Sequence, residues 1–138
     1  MAEPPGRVRF AGYAAVFDRL DNGGDVIRAG AFRETLKRCR SVPLLWQHRT
    51  GAVIGRIDTI REDRKGLRVI GTVCGGERAA EVAGLLSGKR VDGLSFGYRV
   101  REARRRDGVR ELLELDLVEV SVVQQPMQPS ARIHALED

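Results

Sequence analysis

The sequence predicts a mainly β fold with two inserted helices, in which the strands form an antiparallel β-barrel. Three observations lead to this fold class. Apolar segments of strand length recur along the chain, Gly- and Asp-containing turns separate them, and two segments have helical spacing of their apolar residues. Because many strands with few helices do not make a doubly wound sheet, we expect a closed or nearly closed barrel.

The first half of the chain begins with partial alternation over 8–17, which predicts a strand, and the loop at 18–25 carries Asn22-Gly23-Gly24. Helical spacing of Phe32, Leu36 and Cys39 predicts a short amphipathic helix over 30–40. The apolar run 42–47 predicts a buried strand that ends at His48. Segments 52–60 and 67–74 flank a polar loop and predict a hairpin.

The second half contains the clearest helix, over 77–87. Glu77 and Glu81 complement its N-terminal dipole, and Gly88 supplies a stop. Strands are predicted over 94–102 and 109–123, joined by a turn at 105–108. Two prolines in 124–130 end the regular structure.

The length of 138 residues fits one domain. We expect a flexible N-terminal lead at 1–7, one folded domain at 8–130 and a C-terminal tail at 131–138. No apolar run approaches the roughly 20 residues of a membrane-spanning helix, and the N-terminus lacks the apolar segment of a secretory signal. The sequence therefore predicts a cytoplasmic protein with no membrane partner.

Composition argues against a metal or cofactor. The two cysteines, Cys39 and Cys74, form no Cys-x-x-Cys pair, and the two histidines, His48 and His134, lie far apart. The net charge of +5 is carried mostly by scattered arginines, and the run Arg104-Arg105-Arg106 precedes a turn and is expected to be a solvated hairpin tip. An aromatic content of 5% is poor for stacking bases, which argues against nucleic acid as the partner.

Ser95 is the candidate nucleophile because it lies in Gly93-Leu94-Ser95-Phe96-Gly97, which matches the G-x-S-x-G pattern. The α/β-hydrolase elbow needs a helix after the serine, whereas here a strand continues. That fold would also require Asp116 and His134 as partners, with His134 four residues from the end. An esterase-like hydrolase is therefore a weaker alternative, and the glycines are expected to let a substrate backbone approach Ser95.

His48 is the candidate general base. It follows the apolar run Leu44-Leu45-Trp46, which would fix its backbone, and it is the only histidine outside the predicted tail. An imidazole titrates near neutrality, so it can accept a serine proton and return it to a leaving amine. An idle, partly exposed histidine at a strand end is the alternative.

A carboxylate should orient this imidazole. Alternation over 115–123 places Leu115, Leu117, Glu119, Ser121 and Val123 on one face of the strand. Glu119 is embedded among apolar neighbours, and a buried carboxylate needs a partner, either an arginine or His48. Glu119 is the choice for the third catalytic residue, and Asp116 is the reserve.

Several segments together resemble the HK97-type phage prohead protease family, which is related to the herpesvirus assemblins. They are Phe10-Ala11-Gly12-Tyr13-Ala14-Ala15-Val16-Phe17-Asp18, Gly30-Ala31-Phe32, Leu44-Leu45-Trp46-Gln47-His48 with Ile54-Gly55, Gly93-Leu94-Ser95-Phe96-Gly97-Tyr98, and Leu117-Val118-Glu119-Val120-Ser121-Val122-Val123 with Pro126. They follow the order found in the family and cover the chain from about Val8 to Pro129.

The resemblance implies an assemblin-type β-barrel and a serine endopeptidase. It implies Ser95 as nucleophile, His48 as base and an acidic third member, with backbone amides and an arginine as oxyanion donors. The expected substrates are the scaffolding segment of the major capsid protein and the protease itself, inside the procapsid of a tailed phage or gene-transfer agent in a bacterial cytoplasm. The resemblance to the assemblins also implies a homodimer as an assembly to consider.

A non-catalytic function is the alternative to the peptidase. In that hypothesis the chain is a basic β-barrel module that binds scaffold or nucleic acid during particle assembly. It predicts salt-sensitive binding that survives Ser95→Ala and fails when Arg104-Arg105-Arg106 is neutralised.

Overall fold

Eight strands and two helices make up the described part of the computed structural model, which covers residues 7–38 and 41–137. The strands are β1 (Val8–Val16), β2 (Asp25–Ile27), β3 (Pro43–Trp46), β4 (Arg49–Glu62), β5 (Gly66–Val73), β6 (Gly93–Arg106), β7 (Val109–Val123) and β8 (Ile133–Glu137). The helices are α1 (Arg33–Arg38) and α2 (Glu77–Ser87). The mainly β fold class is confirmed.

The strands form one sheet in the order β2-β7-β3-β4-β5-β1-β8, with β6 paired to β7. The prediction of an antiparallel sheet needs a correction, since β2 and β3 both pair with β7 in parallel. β7 is long enough to pair with both strands along one edge. Its 15 residues accommodate β2 near one end and β3 near the other, along the edge opposite β6.

The predicted barrel is also only loosely correct, because the sheet does not close into a continuous ladder. The gap between β1 and β6 is crossed by the short segment before β8. Within it, Arg132 O accepts from Tyr13 N at 3.1 Å, and Ala131 O accepts from Leu94 N at 3.0 Å. The sheet therefore curls until its ends are near each other and stops short of closure.

Residues predicted as a C-terminal tail include a strand. β8 runs antiparallel to β1, from Arg9 opposite Glu137 to Gly12 opposite Ile133. Its side chains are mostly exposed, so its sequence lacks the apolar alternation that identifies a strand. It covers an edge of β1 that would otherwise present unpaired backbone groups.

The helices differ in how well the sequence predicted them. Both ends of α2 agree with the prediction, and it buries Ala79, Val82, Ala83 and Leu86 at helical spacing. The helix predicted over 30–40 is shorter, because residues 30–32 form a turn before α1. Its end at Cys39 and Arg40 lies outside the described residues, as does the predicted lead up to residue 6.

The core lies where β3 and the C-terminal half of β7 are covered on both faces. Leu44, Leu45, Val120 and Val122 are at most 2% exposed. Such close-packed strands hold their backbone in place, so residues at their ends have fixed positions. In the described ranges, no helix combines the length and the apolar character needed to cross a bilayer.

Candidate active site

His48 lies in a two-residue turn between β3 and β4. Trp46 pairs with Arg49, so Gln47 and His48 are the central residues of a hairpin. Their φ angles are 53° and 61°. Positive φ at both central positions is the type I′ turn, which usually contains Asn and Gly. For two residues with larger side chains this backbone is unfavourable, and neighbouring groups must hold it.

Those groups come from the end of β7 and the residue after it. Gln47 N donates to Val122 O at 3.0 Å, and His48 N donates to Ser121 Oγ at 3.1 Å. The side chain of Gln47 also exchanges two hydrogen bonds with Gln124. Gln124 N donates to Gln47 Oε1 at 2.8 Å, and Gln47 Nε2 donates to Gln124 Oε1 at 3.3 Å. The turn is thus bonded to β7 on both of its residues.

The ring of His48 is bonded to Glu119. His48 Nδ1 lies 2.5 Å from Glu119 Oε1, and the carboxylate belongs to a residue only 6% exposed. This hydrogen bond raises the pKa of His48 above its ordinary value, desolvation opposes the rise, and the charge of the carboxylate adds to it. Of the two partners expected for buried Glu119, an arginine or His48, the structure provides His48. The other ring nitrogen of His48, Nε2, takes no part in this hydrogen bond.

The second carboxylate oxygen of Glu119 is also bonded. Ser121 Oγ donates to Glu119 Oε2 at 2.6 Å. Residues two apart on a strand point to the same face, which explains how one strand supplies both groups.

Ser95 comes to the same face from the neighbouring strand. In the β6–β7 ladder, Ser95 pairs with Ser121 and Gly97 pairs with Glu119. Ser95 is 9% exposed. It opens with His48 onto a cavity of about 520 Å³, whose other lining residues are Asn22, Gln47, Val123, Gln124, Gln125, Pro126 and Met127. The structure therefore places Ser95 and His48 on one cavity, with Glu119 in contact with the His48 ring.

The two glycines around Ser95 have a role beyond the one expected. A Cβ at Gly97 would lie 2.5 Å from Glu119 Oε1 and 3.0 Å from its Cγ. A Cβ at Gly93 would lie 2.7 Å from Val123 O and 2.9 Å from Pro126 Cδ. The space beside Gly97 is thus filled by the carboxylate side chain, and that beside Gly93 by the cavity wall. These contacts account for both glycines, and the expected approach of a substrate backbone to Ser95 stays a prediction.

The residues of the esterase-like alternative do not meet. Asp116 Oδ1 accepts from Arg38 Nη2 at 2.8 Å. His134 packs on the ring of Tyr13, with 5.9 Å between centroids, and lines a different cavity from Ser95. Among the residues that the structure describes, no arginine of the kind expected as an oxyanion donor lines the Ser95 cavity, and carboxamides are the polar neighbours of Ser95 and His48 there.

Sequence reasoning missed three residues that shape this site. Ser121 could have been found, because it lies two residues after Glu119 on the same predicted strand face. Gln47 and Gln124 could not, because their pairing joins positions 77 residues apart. The positive φ of His48 could not be predicted from the sequence either, because the turn contains no glycine.

A curled, mainly β sheet that presents a serine and a carboxylate-bonded histidine to one cavity has the components of a serine protease site. The comparisons with known proteins agree on that class. The chain belongs to the Caudovirus prohead serine protease family, whose model matches residues 2–138.

One relative is the prohead protease of Enterobacteria phage HK97, 37% identical over 94 residues. The match covers 66% of this chain and 42% of that protein, so the chain spans less than half of the relative. The family expected from the sequence is confirmed.

Solved structures show the same fold. The varicella-zoster virus protease superposes with a TM-score of 0.61 at 16% identity, over 95% of this chain and 64% of the other. The KSHV protease in complex with a hexapeptide phosphonate inhibitor gives 0.60 at 10% identity, over 96% and 65%. These likenesses confirm the assemblin-type fold.

Proposed function

We propose that this chain is a serine endopeptidase of prohead maturation, with Ser95 as nucleophile, His48 as general base and Glu119 as the orienting acid. The observation that carries the proposal is the 2.5 Å contact of His48 Nδ1 with Glu119 Oε1, beside a cavity that Ser95 shares. Membership of the prohead serine protease family supports it.

The mechanism follows from which ring nitrogen of His48 faces Glu119. With Nδ1 bonded to Glu119, Nε2 of neutral His48 is available to take the proton of Ser95 as its hydroxyl attacks a peptide carbonyl. The imidazolium then gives that proton to the leaving amine, and water deacylates the enzyme by the same route. Glu119 stabilises the imidazolium and holds its ring.

The proposed substrates are the scaffolding segment of the major capsid protein and the protease itself. The reaction would take place inside the assembling procapsid of a tailed phage or gene-transfer agent, in the cytoplasm of a bacterial host. Family membership supports these assignments. We also propose a homodimer as the assembly state. The proposed reaction uses no cofactor, because side chains carry out every proton transfer.

Reaction with a fluorophosphonate tests the nucleophile without knowledge of the cleavage sequence. We expect the wild-type chain to gain one phosphonyl group, mapped to Ser95 by peptide mass spectrometry. Ser95→Ala should gain none, and His48→Ala should react at least about 100-fold more slowly. Ser87→Ala, at the end of α2, serves as the serine control and should react like wild type. Labelling that persists in Ser95→Ala would reject the assignment.

A further inference from the structure

Ser121 lies beside the proposed catalytic residues but has no role in the proposed mechanism. It is fully buried, with 0% of its surface exposed. It also pairs with Ser95 on β6 and with Leu45 on β3, so it lies at the point where three strands meet. The backbone of Ser121 is therefore held between the strand that carries Ser95 and the strand that leads into the turn at His48.

The hydroxyl of Ser121 joins two parts of the site. It donates a hydrogen bond to Glu119 Oε2 at 2.6 Å and accepts one from the backbone N–H of His48 at 3.1 Å. One oxygen therefore connects the carboxylate that bonds the imidazole with the backbone that carries the imidazole. Glu119 is in turn held from both oxygens, because Oε1 faces His48 Nδ1.

We propose that Ser121 is a positioning residue, which fixes the carboxylate of Glu119 and the strained turn at His48 in one geometry so that the imidazole faces Ser95. The proposal rests on the proposed function, since it assigns a task to Ser121 within that site.

Two physical arguments support it. Glu119 has three rotatable side-chain bonds, and a carboxylate bonded by only one oxygen can turn about the remaining contact. A hydroxyl donor to the second oxygen removes that freedom, and such charge-assisted bonds are about twice as strong as neutral ones. His48 has a φ of 61°, which a backbone without external bonds would relax. Loss of the Ser121 oxygen removes one hydrogen bond from the carboxylate and one from the turn at the same time.

The test compares Ser121→Ala with a matched control, Thr72→Val. Thr72 is also buried, at 1% exposed, and its Oγ1 donates to Asp58 Oδ2 at 2.6 Å, yet it does not line the Ser95 cavity. Both variants remove a buried hydroxyl from a carboxylate, so both are expected to lower the melting temperature. Only Ser121→Ala is expected to alter the site.

Two readouts separate positioning from simple stabilisation. The first is the pKa of His48, from NMR titration of its ring protons with His134 as an internal reference. It should fall toward the ordinary histidine value in Ser121→Ala, because Glu119 is no longer held against Nδ1, and stay unchanged in Thr72→Val. The second is the rate of fluorophosphonate labelling, which should fall about 10- to 100-fold in Ser121→Ala alone, as expected for loss of a hydrogen bond to a charged group.

An unchanged His48 pKa in Ser121→Ala, or a labelling rate within twofold of wild type, overturns the proposal. If wild type is not labelled at all, the proposed function fails, and the His48 pKa alone decides the positioning claim. If Ser121→Ala does not fold, Ser121→Cys takes its place. Cysteine keeps a side chain of similar shape with a weaker donor and acceptor, so a smaller shift of the His48 pKa in the same direction is expected.

Discussion

At the scale of single residues, the candidate active site depends on how Glu119 is held against His48. Ser95, His48 and Glu119 are the candidates that the sequence indicates, and Glu119 is among them because an acid embedded in an apolar strand implies a buried partner. The sequence could not supply the contact itself, since residues 48 and 119 are 71 positions apart. Nor could it show why Gly97 is a glycine, because that reason is a cross-strand neighbour.

Glu119→Gln tests the orienting acid through pH. Both effects that raise the pKa of His48, the hydrogen bond and the charge, come from Glu119. The base is active when neutral, so the labelling rate should rise with pH through the pKa of His48. In Glu119→Gln the midpoint of this rise should move to lower pH, and the plateau should drop by on the order of 10²- to 10⁴-fold.

Asp116→Asn is the control for that experiment, since Asp116 was the reserve candidate and is bonded to Arg38. It should leave both midpoint and plateau unchanged. A midpoint that moves in Asp116→Asn but stays in place in Glu119→Gln would exchange the two assignments.

Gly97→Ala should displace the carboxylate. Its methyl would lie 2.5 Å from Glu119 Oε1, and a shift of about 1 Å at a catalytic group can cost on the order of 10²-fold in rate. We expect a loss of that order in fluorophosphonate labelling, with the chain still folded by circular dichroism.

Gly84→Ala is the matched glycine control. It lies in α2, where a Cβ would meet nothing within 4 Å. Alanine there should raise the free energy of unfolding by about 0.5–1 kcal/mol, because glycine is unfavourable inside a helix, and should not change labelling. Equal labelling by the two glycine variants would disprove the steric role of Gly97.

At the scale of elements, β7 organises the site. Glu119 and Ser121 on this strand supply the hydrogen bonds to His48. In this region β7 is paired with β3 on one edge and with β6 on the other. The sequence predicted the ends of β7 and α2 correctly because each has a sustained period and a clear stop. It missed β2, which has only three residues, and β8, which has little apolar alternation.

Deletion of residues 133–138 tests the contribution of β8. The strand pairs with β1 at four positions, and no residue of β8 lines the Ser95 cavity. With a net value of about 0.5–1.5 kcal/mol for each lost backbone hydrogen bond, and about one bond for each paired position, the free energy of unfolding should fall by about 2–6 kcal/mol in urea titration. The labelling rate of the folded fraction should be preserved. An unchanged urea midpoint would show that β8 adds nothing to stability.

At the scale of the whole molecule, basic charge is concentrated where β6 ends in a hairpin. Arg104, Arg105 and Arg106 are all exposed there, as predicted. Arg104 also donates to buried Glu111 at 2.8 Å, a structural bond that the sequence did not indicate. Parallel pairing and incomplete closure were equally hidden, because they depend on long-range register.

Neutralising Arg105 and Arg106 to glutamine separates the peptidase from the binding-module alternative. Neither residue lines the Ser95 cavity, so the peptidase hypothesis predicts unchanged fluorophosphonate labelling. The alternative predicts loss of salt-sensitive binding to a capsid-scaffold fusion, measured by pull-down at two salt concentrations. Arg104 should be kept, because its removal would leave one bond of Glu111 unmade.

The central claim, that Ser95 is the nucleophile of a capsid-maturing peptidase, is tested most directly by co-expression with a major capsid protein that carries its N-terminal scaffolding segment. Wild type, Ser95→Ala and the Ser87→Ala control would be compared by intact mass. We predict removal of the capsid N-terminal segment with wild type and Ser87→Ala, and an uncut capsid protein with Ser95→Ala. An uncut capsid protein in all three, with stable co-purification of the two chains, would contradict the peptidase and favour a binding module.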